Sequence, residues 1–231
     1  MSKGIFITGT NTDVGKTYVT GLIVKKLKEE GMNIAYYKAA MSGNLKDEKE
    51  NLIPGDAVMV KQMSGISQPV ESMCPYVYEN AWSPHLASRV EGNPVNMDVI
   101  KKGFESLGRQ YDYVIMEGSG GILCPIRFDD EKIWLEDIIK EFDLPCIIIA
   151  DAGLGTINHV VLTVEYMRSK KIEMKGLIFN HYHKGNLMEE DNIKMCEDRT
   201  GLKGIACVAD HDTEIQLRPD TLQELLNEQH D

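Results

Sequence analysis

Cysteine is sparse in this 231-residue chain and shows no pairing pattern. The five residues, Cys74, Cys124, Cys146, Cys196 and Cys207, are scattered and odd in number, and none forms a C-x-x-C pair. That excludes a disulfide framework and a cysteine zinc site. A cysteine in an apolar run reads instead as small core filling. Also missing is any apolar run near the ~20 residues that cross a bilayer. The first residues enter a strand pattern directly, without the basic, apolar and small-residue zones of a leader. The expected compartment is the cytoplasm. Positive charge is in deficit: 25 Lys and Arg against 36 Asp and Glu give a net charge of −11. Such a balance excludes broad attachment to nucleic acid or to anionic membranes, while leaving room for a local basic pocket. There is no internal repeat, low-complexity segment or dividing linker, so residues 1–231 are expected to form one domain.

What is present is alternation. Apolar runs at 4–8, 33–38, 113–117, 146–151, 176–180 and 204–208 predict strands. Several, such as "PCIIIAD", are continuously apolar, as strands covered on both faces must be. Between them, helical patterns are expected over 16–30, 96–110, 134–142, 156–170, 189–199 and 221–229, the first stopping at Gly31. The predicted fold class is α/β: a mostly parallel sheet with helices on both faces. The polar stretch 43–55 reads as a surface loop. In open sheets of this kind ligands gather beyond the carboxyl ends of the strands, which directs attention to the residues following each one.

After the first strand comes "GTNTDVGKT", residues 9 to 17. A glycine-rich turn between a strand and a helix is the setting of a phosphate loop. Gly9 and Gly15 let backbone N–H groups turn inward, and the helix N-terminus adds partial positive charge. Lys16 can bridge phosphates, and Thr17 can supply a hydroxyl to Mg²⁺. Residues Asp13, Val14, Gly15, Lys16, Thr17 and Tyr18 form the expected nucleotide loop. Its spacing is unusual, with five residues between the glycines rather than four.

Four further segments carry candidates. "YYKAAMSG" puts Lys38 at a strand end and Ser42 just beyond; Lys38 either snorkels or stabilises charge as a phosphoryl group moves. "YDYVIMEGSGG" ends its strand on Glu117, followed by Gly118, Ser119 and Gly120; the carboxylate is a Mg²⁺ ligand, a water organiser or a chance acid. Asp56 after "NLIPG" is a third acid, whose plain reading is helix capping. "GLGTINHVVL" places Thr156 and Asn158 at a glycine-led helix start, a second anion site, with His159 either ligand or structural. Ser83 and His85 stay ambiguous.

These motifs, in order and over nearly the whole length, resemble the dethiobiotin synthetase family. The matching features are "GTNTDVGKT", "YYKAAMSG", Asp56 in "GDAVMVKQ", "SPHLAS", "EGSGG", "LGTINH" and Asn180, and the five-residue gap is a family trait. The resemblance implies a homodimeric P-loop fold. It also implies an ATP- and Mg²⁺-dependent ring closure of 7,8-diaminononanoate with CO₂, through a carbamate and a carbamic–phosphoric anhydride. By that resemblance Lys16 and Lys38 hold the carbamate and the transferring phosphoryl group. Thr17, Asp56 and Glu117 hold the metal, and Thr12 and Ser42 contact the diamine or carbamate. Asn158 of the partner subunit receives the substrate carboxylate, and Asn180 faces the purine. Asp13 either meets the substrate ammonium or shapes the loop. Many relatives end their purine-side strands in Asn-Asp and in a segment with proline, where this chain reads Asn180-His181 and Val208-Ala209-Asp210. The base preference is thereby left open.

Two other readings compete. A P-loop amidoligase normally draws on an ammonia source, for which this chain has neither the length nor a catalytic cysteine loop. A partitioning-type ATPase carries a lysine early in the first loop, where this chain has Thr10-Asn11-Thr12. The terminal "LQELLNEQHD" is acidic rather than a basic amphipathic anchor.

Overall fold

In the computed structural model, which describes residues 3–227, the chain runs β1 (Gly4–Gly9), α1 (Lys16–Glu29), β2 (Ile34–Lys38), β3 (Ala40–Met41), α2 (Gly55–Ser64), β4 (Tyr76–Val77) and α3 (Pro84–Val90). It continues through α4 (Met97–Gly108), β5 (Tyr113–Glu117), β6 (Pro125–Phe128), β7 (Lys132–Trp134), α5 (Leu135–Phe142) and β8 (Cys146–Asp151). Last come α6 (Thr156–Ser169), β9 (Met174–Asn180), α7 (Leu187–Thr200), β10 (Gly204–Cys207) and α8 (Pro219–Asn227). The six predicted strands form one sheet in the order β10-β9-β8-β1-β5-β2, every neighbouring pair parallel.

Alternation along these strands builds two cores. Ile5, Ile7, Tyr36, Ile147 and Ile149 face α1 and α2, while Phe6, Tyr37, Met116, Ile148 and Ala150 face α4, α5, α6 and α7. Because successive side chains point to opposite faces, a strand buried on both sides must be apolar throughout. The expected α/β architecture with helices on both faces is what forms. β1 lies between β5 and β8, so the chain winds to one side of it and then to the other. The crevice at that switch is where such sheets bind ligands.

Local chemistry moves some boundaries. The helix expected over 96–110 spans Met97–Gly108, because Asn96 is its cap and accepts from the N–H groups of Asp98 and Val99. Asn186 does the same for α7, which starts at Leu187 rather than at residue 189. Gly31, expected as the cap of α1, lies one residue beyond Glu30 with φ +91°. The helices α2 and α3 and the short strands β3, β4, β6 and β7 were not expected, since their apolar patterns are too brief to register. The 43–55 segment is a surface loop, tied by a Lys46–Leu52 bridge and by buried Asn44, which donates to the carbonyls of Met41 and Tyr78. The last predicted helix reached Gln229, which lies outside the described residues. Among the described residues no helix is long and apolar enough to cross a membrane.

β2 is an edge strand, yet its edge is closed by a side chain. The Tyr36 N–H donates to Gln68 Oε1 at 2.8 Å, and Gln68 Nε2 donates back to the Tyr36 carbonyl at 3.0 Å. Fully buried Gln68 thus stands in for a strand residue, and the Lys38 N–H continues the pairing to the Met73 carbonyl. Replacing Gln68 with leucine leaves two buried backbone groups unpartnered, at about 1–3 kcal/mol each. We expect Gln68→Leu to lower the denaturant midpoint accordingly in equilibrium unfolding; an unchanged midpoint would mean that the edge is satisfied in another way.

Candidate functional site

Register creates the centre of the site. Lys38 and Glu117 are partners on the last rung between β2 and β5, so both side chains project to the same face of the sheet. That face carries α1 and α2, whose first turns bring Thr17 and Asp56. Lys38 Nζ lies 2.6 Å from Glu117 Oε1 and 2.6 Å from Asp56 Oδ2. The Thr17 hydroxyl donates to the same Glu117 oxygen at 2.8 Å, and the Tyr36 hydroxyl donates to Glu117 Oε2 at 3.1 Å. Glu117 is only 1% exposed and Lys38 5%. Burial opposes the Lys38 charge, but Glu117 and then Asp56 outweigh it and hold its pKa above the ordinary value. Burial, followed by the charge of Glu117, raises the Tyr36 pKa well above 10.0, so the phenol stays a donor.

The phosphate loop is shaped by two left-handed residues, Asp13 at φ 61° and Gly15 at φ 80°. Aspartate is one of the few side chains that tolerates that region, which accounts for an acid beside the extra residue; its carboxylate is exposed. At Gly15 a Cβ would lie 2.1 Å from Asn180 Nδ2, so only glycine passes. α1 starts with no side-chain cap and no acid in its first turn, leaving its first N–H groups for an anion. α6 starts in the same way, on left-handed Gly155, with buried Thr156 Oγ1 lacking a partner. Lys16 Nζ donates to the Asn11 carbonyl at 2.9 Å. Burial first, and Lys38 second, pull its pKa down from 10.5 to about 8.

The loop and the ion-pair cluster open into one cleft of about 820 Å³. Thr12, Asp13, Gly15, Lys16, Thr17, Tyr18, Lys38, Ser42, Asp56, Glu117, Ser119 and Gly120 all line it. Ser42 carries a buried hydroxyl without a partner, and Ser119 donates to the Ala40 carbonyl at 2.8 Å. Gly118, Val14, Asn180 and Asn158 do not line the cleft. Gly118 is buried against Leu135 and Phe6. Asn180 packs behind the loop, its Nδ2 donating to the Val14 carbonyl at 3.1 Å. Asn158 and His159 are exposed on α6, and Ser83 meets His85 Nδ1 at 2.8 Å on the far rim. Met59 and Trp82 also line the cleft without having been singled out in the sequence, and Cys124, expected as core filling, lines it half-buried. Trp82 directly precedes "SPHLAS", the one available cue. His181 was noted only as a departure; it bridges Asp151 Oδ2 at 2.7 Å and Asn180 Nδ2 at 3.1 Å. A second recess of about 260 Å³ beside Tyr37, Ser72 and Gln110 contains none of the predicted residues.

Thr17, Asp56 and Glu117 suit a hard cation. Mg²⁺ prefers oxygen ligands and typically takes one or two carboxylates plus substrate phosphates. Here two carboxylates and a hydroxyl converge beside a phosphate loop, while no cluster of three or more His, Cys, Asp and Glu is placed to hold a metal among the described residues.

Comparison with known proteins gives a consistent picture. A family model described as an AAA domain matches residues 3–213. The ATP-dependent dethiobiotin synthetase BioD of Brachyspira hyodysenteriae is 53% identical over 211 residues, covering 91% of this chain and 93% of that protein. The protein of the same name from Clostridium perfringens is 50% identical over 208 residues, covering 90% and 91%. Among solved structures, a ParA family ATPase from Chlorobium tepidum superposes with a TM-score of 0.54 at 13% identity, covering 99% of this chain and 91% of that one. That last likeness speaks for a P-loop NTPase fold alone.

The depressed Lys16 pKa has a readable consequence. An anion bound at the loop favours the charged ammonium and must raise that pKa again. Calorimetric titration of ATP in buffers of different ionisation enthalpy should therefore detect proton uptake near pH 8.5 and little near pH 6.5. Affinity should weaken as pH rises through about 8; pH-independent binding between 7 and 9 would contradict the assignment of Lys16 to the phosphates.

Proposed function

Since the chain belongs to the ATP-dependent dethiobiotin synthetase family, we propose that residues 1–231 act as one catalytic unit that closes 7,8-diaminononanoate and CO₂ into the cyclic urea of dethiobiotin. One amine adds to CO₂ and loses a proton, giving a carbamate. A carbamate oxygen attacks the γ-phosphorus of ATP as the bond to ADP breaks. The second amine then attacks the carbamoyl carbon, expelling inorganic phosphate and closing the ring. The observation that carries this reading is the single cleft in which two ammonium groups, two carboxylates and a phosphate loop meet.

The nucleophile is supplied by the substrate, so the protein's task is to offset repulsion between two anions and align them. Lys16 and the N–H groups of α1 hold the phosphates, with Asp13, Val14, Gly15, Thr17, Tyr18, Gly118, Ser119 and Gly120 forming the surrounding loops. Lys38 stabilises the charge that shifts between carbamate and leaving ADP. Thr12 and the unpartnered Ser42 hydroxyl receive the diamine end. Thr17, Asp56 and Glu117 would hold Mg²⁺, which when bound neutralises phosphate charge. Asn180, buried against Val14, fixes the loop beside the base. The assignment of ATP as co-substrate follows the family.

We assign the substrate carboxylate to Asn158 and the uncapped start of α6 of a partner subunit. Exposed Leu154, Leu162 and Leu187 near that helix support a homodimer. The free thiols of Cys74, Cys124, Cys146, Cys196 and Cys207 support a cytoplasmic protein. A partitioning-type ATPase is not favoured, because that likeness rests on fold at low identity.

The deciding assay measures dethiobiotin and ADP with ATP, GTP and CTP side by side. We expect release to depend on both bicarbonate and the diamine; equal phosphate release without the diamine would end the synthetase reading. Lys38→Ala should keep nucleotide binding and lose about two orders of magnitude in kcat, as loss of one electrostatic stabiliser does, and full turnover would remove Lys38 from the reaction.

A further inference from the structure

The oxygens assigned to a divalent cation are already joined by an ammonium. Lys38 Nζ contacts Glu117 Oε1 and Asp56 Oδ2, each at 2.6 Å. The Thr17 hydroxyl meets that same Glu117 oxygen at 2.8 Å. The remaining Glu117 oxygen is taken by Tyr36, and Lys16 is turned away to the Asn11 carbonyl. So the three groups converge on one point, and Lys38 is the group that holds it.

Mg²⁺ binds oxygen at about 2.0–2.1 Å and in near-ideal octahedral geometry. At shorter range it would engage the Glu117 oxygen shared by Lys38 and Thr17, together with the Asp56 carboxylate that Lys38 also holds. Two cations at the Glu117 oxygen repel strongly, because Glu117 and Lys38 are almost fully buried and water screens little there, although the Asp56 side chain is 39% exposed. We infer that Lys38 is a place-holder for the metal: ammonium and divalent cation are alternative occupants of the Glu117–Asp56 pair. This rests on the metal assignment made above.

The exchange has a direction. A displaced Lys38 must find another anion, because a buried charge without a partner is costly. The cleft's own carboxylates would then belong to the metal, so the anion must come with the ligand, as phosphate or carbamate oxygen. The site therefore refuses a bare divalent cation and admits it together with the triphosphate. Lys38 swings to the reacting groups only in the loaded site. Its role in turnover and its role in metal admission are two ends of one movement.

The test is Mn²⁺ affinity without nucleotide, read by electron paramagnetic resonance and calorimetry on the full chain. Lys38→Met should bind at least about tenfold more tightly than the unmodified protein, equivalent to about 1.4 kcal/mol. Lys38→Arg, which keeps the cation, should stay weak. Lys16→Met removes the same charge from the same cleft without freeing either carboxylate, and should change little. An equal gain in Lys16→Met, or none in Lys38→Met, overturns the proposal. Lys38→Gln, whose amide can still donate to Glu117, replaces Lys38→Met where folding fails. In the unmodified protein the ¹⁵N resonance of the Lys38 ammonium should move when Mg²⁺ and a non-hydrolysable ATP analogue are added together, and an unmoved resonance at saturation also overturns it. Mn²⁺ binding needs neither diamine nor bicarbonate. Absent ring closure with tightened Lys38→Met would remove the synthetase reading alone, and intact ring closure with unchanged affinity would remove this one alone.

Discussion

A buried carboxylate that must be matched on every side organises this protein. Glu117 ends β5, the strand next to the sheet edge, at 1% exposure, and its two oxygens are satisfied by Lys38, Thr17 and Tyr36. Breaking such a pair by removing one partner typically costs about 3–5 kcal/mol, because the other charge is left uncompensated. The same demand fixes the edge strand, since Tyr36 and Lys38 reach Glu117 only in the register that Gln68 and Met73 hold from the outside. It fixes α1 as well, through Thr17. Stability and site geometry are therefore one constraint, and a change that loosens β2 should be felt at the carboxylate.

The surrounding helices are sorted by how their N-termini are finished. α4 and α7 are closed by Asn96 and Asn186 and carry acids in their first turns. α1 and α6 begin on left-handed glycines, with neither cap nor acid. A helix start leaves N–H groups that something must satisfy. Where the sequence supplies a side chain the end is structural, and where it withholds one the end is available to an anion. Both of these glycine-started helices follow strands of the switch region, β1 and β8, where the sheet's connections leave a crevice.

Much of this was legible in the residues. The six sheet strands were visible because burial on both faces demands continuous apolar runs, and the phosphate loop because strand, glycines, Lys16 and Thr17 occur in a fixed order. Lys38 and Glu117 each stood out as charges at strand ends, but their contact depends on strand order and register, which no local pattern encodes. Asp56 looked like a helix-start acid, and it is one; only the packing of α2 against the sheet turns it towards Lys38. Trp82 and Met59 were missed because an apolar side chain in a cleft has the same sequence signature as one in the core. His181 registered as a departure from relatives, and its partner Asp151 lies 30 residues away in the chain. Asp13 is the reverse case: the left-handed turn it makes explains an acid in the loop without invoking the substrate.

Two lysines in one cleft with pKa values pushed in opposite directions divide the work between them. Lys38 sits between carboxylates, so its charge is certain and largely neutralised within the protein. Lys16 Nζ donates to a carbonyl and pairs with no carboxylate among the described residues. Burial together with Lys38 outweighs the pull of Glu117 and Asp13 and draws the Lys16 pKa down to about 8. The ammonium that lacks an anion is the one that gains most from meeting one. This matters in a chain with a net charge of −11, whose overall field repels a polyanion such as ATP. Attraction has to be local, and an under-compensated lysine at an uncapped helix start supplies it where the phosphates must lie. A fully paired Lys16 would stabilise the free protein and weaken the loop by the same interaction. The incomplete pairing of Lys16 is thus a requirement of binding, as the complete pairing of Glu117 is a requirement of the fold.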